Sequence, residues 1–179
     1  MNGYSIIGGS KSGTRSPIDI YPTPPDVTYA LLDFLKLPRH TRIWEPAAGD
    51  GHMVKAIESR GYYVIGTDIL TGTDFLTADV PAEVDMIITN PPFKWSEDFI
   101  WRAAKTGIPF AFLLKSQYWH ASRRRNLFES LPPSYVLPLT WRPQFDPSGS
   151  KKSPVMDVVW NVWLLGIGGP IYWPLTRPG

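Results

Sequence analysis

Apolar runs alternate with amphipathic stretches along almost the whole chain. Thr41 to Glu45 reads as a short strand and Tyr62 to Thr67 as a second. Val84 to Ile88 is a third, and Pro109 to Leu114 is a continuous apolar run of the kind found at the centre of a parallel sheet. Tyr135 to Leu139 is a fifth candidate, with Pro138 arguing for its end or for an edge. Met156 to Leu165 is a last apolar strand. Helical spacing fills the gaps. Val27, Ala30, Leu31, Phe34 and Leu35 share one face of a first helix, with Thr23 as N-cap, prolines in its first turn and Pro38 ending it. Met53, Val54, Ala56 and Ile57 mark a second over His52 to Arg60, closed by Gly61. Phe99, Ile100, Ala103 and Ala104 mark a third over Trp95 to Lys105, and His120 to Leu131 reads as a fourth. Strands alternating with helices give an α/β doubly wound sheet.

Residues 1–20 break this pattern. They are rich in Gly and Ser, lack either period, and read as a flexible amino-terminal arm ahead of a single domain over 21–179. A hydrophobic content of 43% supports a packed core for that domain. Cysteine is absent, which excludes disulfides, thiolate catalysis and a cysteine-based zinc site. His40, His52 and His120 are scattered, so no metal site is expected. No run approaches the ~20 apolar residues of a membrane span, and no secretory signal precedes the domain, so a cytoplasmic protein is expected. The formal charge of +2 does not announce a nucleic-acid binder. Local clusters do more: Arg123-Arg124-Arg125, Lys151-Lys152, and Lys11 with Arg15.

The chemistry centres on Asn90-Pro91-Pro92-Phe93, directly after the third strand. Two consecutive prolines cannot continue a ladder, since they lack N–H groups and have fixed φ. The chain therefore leaves the sheet at the carboxyl end of a strand, where open α/β sheets bind ligands. The elbow offers an amide side chain, backbone carbonyls and an aromatic ring. A planar base with an exocyclic amine uses all three: its hydrogens reach the Asn90 oxygen and the Pro91 carbonyl, and its ring stacks on Phe93. The plain alternative is a turn, for which Asn and Pro are common residues.

Glu45-Pro46-Ala47-Ala48-Gly49-Asp50-Gly51 joins the first strand to the second helix. Small residues let backbone approach a ligand, and a helix N-terminus offers free N–H groups. Asp68 ends the second strand, nineteen positions after Gly49, where a ribose diol would be hydrogen-bonded. A dinucleotide site is disfavoured because the sixth position of G-x-G-x-x-G is Val54. The looser loop suits a ligand with a carboxylate and an amine but no pyrophosphate, as in S-adenosylmethionine (SAM).

In these motifs the chain resembles the DNA N6-adenine methyltransferases that use SAM, in particular the compact phage-type members. Glu45 to Gly51 resembles their cofactor loop, Asp68 their ribose carboxylate, and Asn90 to Phe93 their catalytic (D/N/S)-P-P-(Y/F/W) motif. The segment holding Tyr21, Thr23 and Pro24 is similar to the one that touches the methionine end of SAM. The resemblance spans residues from about 21 to 165. It implies a Rossmann-like class I methyltransferase fold: a seven-stranded, mostly parallel sheet with helices on both faces and an antiparallel last strand. It also implies cofactor contacts from Ile69, Asp74, Phe75 and Asn90, with Asp74 close to the target adenine. Trp141 to Phe145 resembles a late motif whose aromatic, here Phe145, packs against a flipped base. DNA is the implied partner, with Lys94, Arg123, Arg124, Arg125, Arg142, Lys151 and Lys152 on phosphates. Larger members carry a separate target-recognition domain, for which this chain has no room. Other acceptors fit a similar elbow, namely RNA adenine or a protein glutamine amide. A further alternative is a non-catalytic partner subunit, which would be expected to carry degraded motifs, whereas both are intact here.

Overall fold

The computed structural model describes residues 22–145 and 156–179. Its elements are α1 (Pro25–Leu35), β1 (Arg42–Glu45), α2 (His52–Ser59), β2 (Tyr63–Gly66), β3 (Met86–Thr89), α3 (Ser96–Thr106), β4 (Phe110–Lys115), α4 (Arg125–Ser130), β5 (Tyr135–Pro138), β6 (Val158–Trp163) and β7 (Ile171–Tyr172). Among the described residues the strands form one seven-stranded sheet in the order β2-β1-β3-β4-β6-β5-β7. Pairing is parallel from β2 through β1 and β3 to β4, and again between β5 and β7. β6, the last strand read in the sequence, is antiparallel to both of its neighbours, β4 and β5.

The two-residue period of the strands divides the core into two layers. Ile43, Met86, Ile88, Ala111, Leu113, Trp160 and Val162 face α1 and α2, meeting Val27, Leu31, Met53 and Ile57. Trp44, Ile87, Phe110, Phe112, Leu114 and Trp163 face the other way, toward Phe99, Ile100 and Ala103 of α3 and Leu127 of α4. Helices therefore cover both faces. β4 is buried from Phe110 to Leu114, as its continuous apolar sequence requires. No helix among the described residues is long and apolar enough to cross a membrane.

Trp160 ties the two layers of the first face together. It is fully buried, and its Nε1 donates to the Val27 carbonyl of α1 at 3.0 Å. Trp160→Phe keeps most of the ring but removes this second donor to a carbonyl that also accepts within α1, so a loss of about 1 kcal/mol is expected. Urea denaturation measures it; a loss within a few tenths would show that the bond contributes nothing.

Three sequence readings change. α1 starts at Pro25 with Pro24 as N-cap, and no side chain caps it. Thr23 does not cap α1 because its hydroxyl is engaged elsewhere, with Asn90. The expected helix over His120 to Leu131 is broken: 3₁₀ turns cover Ser116–His120 and Ser122–Arg124, and only Arg125–Ser130 is α-helical. Ala121, extended at φ −92° and ψ 115°, separates the two turns. Finally, β7 follows the strands read in sequence. From there the chain runs along β5, with Trp173 and Leu175 N–H groups donating to Val136 and Pro138 carbonyls. Arg177 then pairs with Asp26 in the first turn of α1 at 2.9 Å.

Candidate active site at the strand ends

Glu45 ends β1, Asp68 follows β2, Asn90 follows β3 and Lys115 ends β4. Since these four strands are parallel and adjacent, their loops emerge side by side on one edge of the sheet.

The β1 loop is built around a buried carboxyl. Glu45 is 1% exposed, and its Oε1 accepts the Ala47 N–H at 3.0 Å and the Thr89 hydroxyl. Thr89 directly precedes Asn90, so this carboxyl joins the loop to the elbow. Oε2 has no partner in the protein. Burial raises the Glu45 pKa from 4.5 to about 8, against the lowering effect of the Thr89 and Ala47 hydrogen bonds.

The rest of the loop rests on the end of β2. The Ala48 N–H donates to the Thr67 carbonyl and the Thr67 N–H to the Glu45 carbonyl, each at 2.9 Å. Asp68 holds the turn from the other side: Oδ2 accepts the Gly49 N–H and Oδ1 the Leu70 N–H, both at 2.8 Å. Pro46 is buried, whereas Gly49 and Asp50 are exposed. Gly51, at φ 77°, opens α2 in the left-handed region. The sequence reading missed Gly66. A Cβ there would lie 2.8 Å from Val54 Cγ2 and 3.3 Å from Ala48 Cβ. The close strand–helix approach that a third loop glycine gives a dinucleotide site is therefore made here from the strand side. That is why Val54 is tolerated.

At the elbow, Asn90 Nδ2 donates to Thr23 Oγ1 at 3.1 Å, and Thr23 is itself buried. The Asn90 amide is thereby oriented, and its Oδ1 is left buried with no donor. The Pro91 carbonyl also accepts no hydrogen bond among the described residues. The Pro92 carbonyl, by contrast, is satisfied by the Trp95 N–H at 2.8 Å, which starts the turn into α3. Phe93 is half-buried and packs against the core layer of α1 and α2. Lys115 Nζ lies 4.3 Å from its ring centroid.

The remaining sequence-predicted residues separate into groups. Ile69 is exposed beside Asp68, and Asp74 Oδ1 accepts the Leu76 N–H at 3.0 Å. Phe75 is 2% exposed, with its ring edge-on to Trp44 at 5.1 Å, so its ring belongs to the core and leaves only backbone to meet a cofactor. Phe145 is likewise a core residue at 1% exposure, corrected from base contact: a ring so enclosed has no face to offer a base. The arginine cluster is not one surface. Arg123 and Arg125 are exposed, and Arg125 pairs with Glu129 at 2.6 Å. Arg124 lies 3.6 Å over the Tyr118 ring and donates to the Tyr118 carbonyl at 3.0 Å, which makes it a structural cross-link. Lys94 is exposed near the elbow, and Arg142 is exposed with Asp157 at 3.8 Å. Tyr21, Lys151 and Lys152, with Lys11 and Arg15, lie outside the described residues. A cleft of about 590 Å³ beside α1, lined by Asp26, Tyr29 and Arg177, shares Pro24 with this site but none of Glu45, Asp68 or Asn90.

Comparison with solved structures places this arrangement. A Vibrio vulnificus protein, assigned as the modification subunit of a type I restriction enzyme, matches with a TM-score of 0.60 at 15% identity. The match covers 89% of this chain and 48% of that one. A Listeria monocytogenes protein, assigned to the class I SAM-dependent methyltransferases, matches with a TM-score of 0.59 at 14% identity, over 88% of this chain and 66% of that one. The fold is that of the class I methyltransferases. A dimethyladenosine transferase from Plasmodium falciparum has the same methyltransferase fold, with a TM-score of 0.53 at 11% identity, over 80% of this chain and 63% of that one. The chain thus spans about half to two thirds of the length of these methyltransferase-fold neighbours. No protein-family model matches the chain, and no curated protein matches it in sequence.

Proposed function

We propose that the protein transfers the methyl group of SAM to the exocyclic N6 of adenine in DNA, with residues 21–179 acting as one catalytic domain. The observation that carries this reading is the pair of unmatched acceptors at the elbow, Asn90 Oδ1 and the Pro91 carbonyl. Buried acceptors without donors are rare and each costs about 1–3 kcal/mol. An –NH₂ group supplies two N–H donors from one nitrogen, one for each acceptor.

The β1 loop and Asp68 suit SAM as cofactor. Asp68 keeps free lone pairs after accepting two backbone N–H groups, as a ribose diol needs. Glu45, Gly49, Asp50 and Gly51, with Thr23 and Pro24, would hold the amino-acid end, and Ile69 would cover the adenine. When bound, SAM supplies a methyl group activated by a sulfonium sulfur. The protein's task is to make a poor nucleophile competent. The N6 lone pair of adenine is delocalised into the ring. Accepting both amine hydrogens at Asn90 and Pro91 favours a tetrahedral nitrogen whose lone pair is localised. Thr23 fixes the amide, and the two prolines fix the carbonyl, so the acceptors need little reorganisation. The base must leave the duplex to reach the elbow. Stacking on Phe93 offsets some of the unstacking, at about 1–3 kcal/mol per base.

Among the fold neighbours, the modification subunit of a restriction enzyme suits a DNA substrate and the dimethyladenosine transferase suits adenine as the base, with RNA adenine kept as the second reading. The basic residues test the choice of polymer. Arg123→Ala and Lys94→Ala should each lower the slope of log K against log[salt] for duplex DNA by about 0.9. Arg124→Ala should instead reduce stability, since it strips Tyr118 of its stacked cation. Slopes that stay unchanged in both surface variants would remove them from the DNA interface. The activity itself is tested by methyl transfer from labelled SAM to DNA, RNA and protein in parallel.

A further inference from the structure

Among the described residues, Lys115 is a cation at the strand-end edge that stands beside the elbow. It ends β4, and its side chain shares the parity of Ala111 and Leu113, which belong to the core layer that Phe93 packs against. Thr89 is in register with Phe112, so β4 continues three residues past that partner. At ~3.3 Å per residue the strand rises about 10 Å beyond Thr89, which brings Lys115 level with the elbow rather than beneath it. Its Nζ then lies 4.3 Å from the Phe93 centroid, within the range of a cation–π contact. Among the described residues it has no carboxylate partner and donates no hydrogen bond. Burial lowers its pKa, so the ammonium is partly desolvated without an anion to offset that loss.

We propose that Lys115 is a base-contacting residue, whose ammonium donates a hydrogen bond to a ring nitrogen of the adenine that stacks on Phe93. The inference rests on the adenine reading of the elbow and deepens it. A contact between an ammonium and a phenyl ring is weak, so a base sliding onto Phe93 readily pushes the flexible lysine tip from the ring face to the edge of the base. There it meets an acceptor. The ring acceptors that flank the amine held at the elbow are N1, on the Watson–Crick edge, and N7, on the Hoogsteen edge, whereas N3 lies on the far side of the base. A charged donor to either is a strong hydrogen bond. Asn90 and Pro91 would then read the amine as a donor while Lys115 reads the neighbouring ring nitrogen as an acceptor. Guanine presents the reverse pattern on the Watson–Crick edge, where O6 accepts and N1–H donates. Through N1, Lys115 thereby helps set base selectivity; through N7, which accepts in both purines, it binds the base without distinguishing it.

The test pairs wild-type protein and Lys115→Met with oligonucleotides carrying adenine, 1-deazaadenine or 7-deazaadenine at the methylated position, which mapping on the wild-type protein first defines. Lys115→Met should lower kcat/KM on adenine by about 10- to 100-fold with SAM affinity unchanged. One deaza base should lower wild-type kcat/KM by a similar factor but Lys115→Met by no more than about 3-fold, which identifies N1 or N7 as the acceptor. Intrinsic effects of the deaza change on the amine cancel in that comparison. Lys115→Arg, which keeps charge and donors, should recover part of the activity. If Lys115→Met matches wild type on adenine, or if both proteins lose equally on both analogues, the inference is overturned while the proposed function stands. Should Lys115→Met fail to fold, the wild-type and Lys115→Arg series decides, and wild-type indifference to both analogues overturns it. If wild-type protein methylates no adenine in DNA, the proposed function fails and takes this inference with it.

Discussion

Asn90→Ala is expected to lower methyl transfer by at least about 10²-fold while the protein stays folded and still binds SAM. The size follows from losing a preoriented group aimed at the reacting nitrogen, for which about 10²- to 10³-fold is typical. The small effect on the fold follows from the bonds. Asn90 contributes one hydrogen bond, to Thr23 Oγ1, and carries a buried oxygen with no donor. Truncation removes that unsatisfied atom together with the bond, so stability should change by only about 1 kcal/mol in either direction. Thr23→Val tests the orienting bond alone. It leaves the acceptor in place but frees the amide to rotate, so an intermediate loss of about 5- to 20-fold in kcat is expected. Steady-state kinetics with circular dichroism distinguishes these outcomes. Full activity in Asn90→Ala would end the elbow mechanism.

The second large effect is carried by Glu45. Its folded pKa of about 8 lies above the unfolded value of 4.5, so between those limits the folded state holds a proton that the unfolded state has released. Stability from this group is therefore complete below pH 4.5 and is lost progressively as pH rises to about 8. Glu45→Gln mimics the protonated carboxyl and can still accept from Ala47 and Thr89. It should match wild type at pH 5 and exceed it above pH 8 by a few kcal/mol, on the order that linkage gives for a shift of this kind. The same proton links to the cofactor. SAM carries an ammonium and a sulfonium, and positive charge beside the loop favours the ionised carboxylate. Binding at pH 7 should then release a proton in wild type and none in Glu45→Gln. Titration calorimetry in two buffers of different ionisation enthalpy measures this. Identical binding heats in both buffers for wild type would show that Glu45 does not respond to the cofactor.

The fold was largely legible because its elements obey clear periods. β4 declares itself by an unbroken apolar run, and α3 by Phe99, Ile100 and Ala103 on one face. β7 was not legible: two exposed residues, Ile171 and Tyr172, show no alternation, and tertiary pairing with β5 alone makes them a strand. The helix expected over His120 to Leu131 is interrupted at the extended Ala121, and Arg124 folds back on Tyr118 six residues earlier, a side-chain contact that helical propensity does not reveal. The Arg triplet illustrates the same limit, since adjacent identical letters take different roles once one of them is pinned.

The site shows a similar division. Asn90 to Phe93 and the Glu45 to Gly51 loop were readable because prolines and glycines constrain the backbone directly. Thr23 was readable only in part: a threonine before two prolines signals a helix cap, and nothing local reveals that Asn90, 67 positions away, takes its hydroxyl. The resemblance makes Phe145 a base contact, and its burial puts it in the core instead. Gly66 and Thr89 act through contacts across elements, with Val54 and Glu45 respectively. Only the residue type at Gly66 hinted at a role.

The most direct test of the proposed reaction is nucleoside mass spectrometry of unmethylated duplex DNA after incubation with the protein and labelled SAM. The proposed reaction yields labelled N6-methyladenine from wild type and none from Asn90→Ala. Label found only in RNA or protein, or no transfer by a protein that binds SAM, would contradict it.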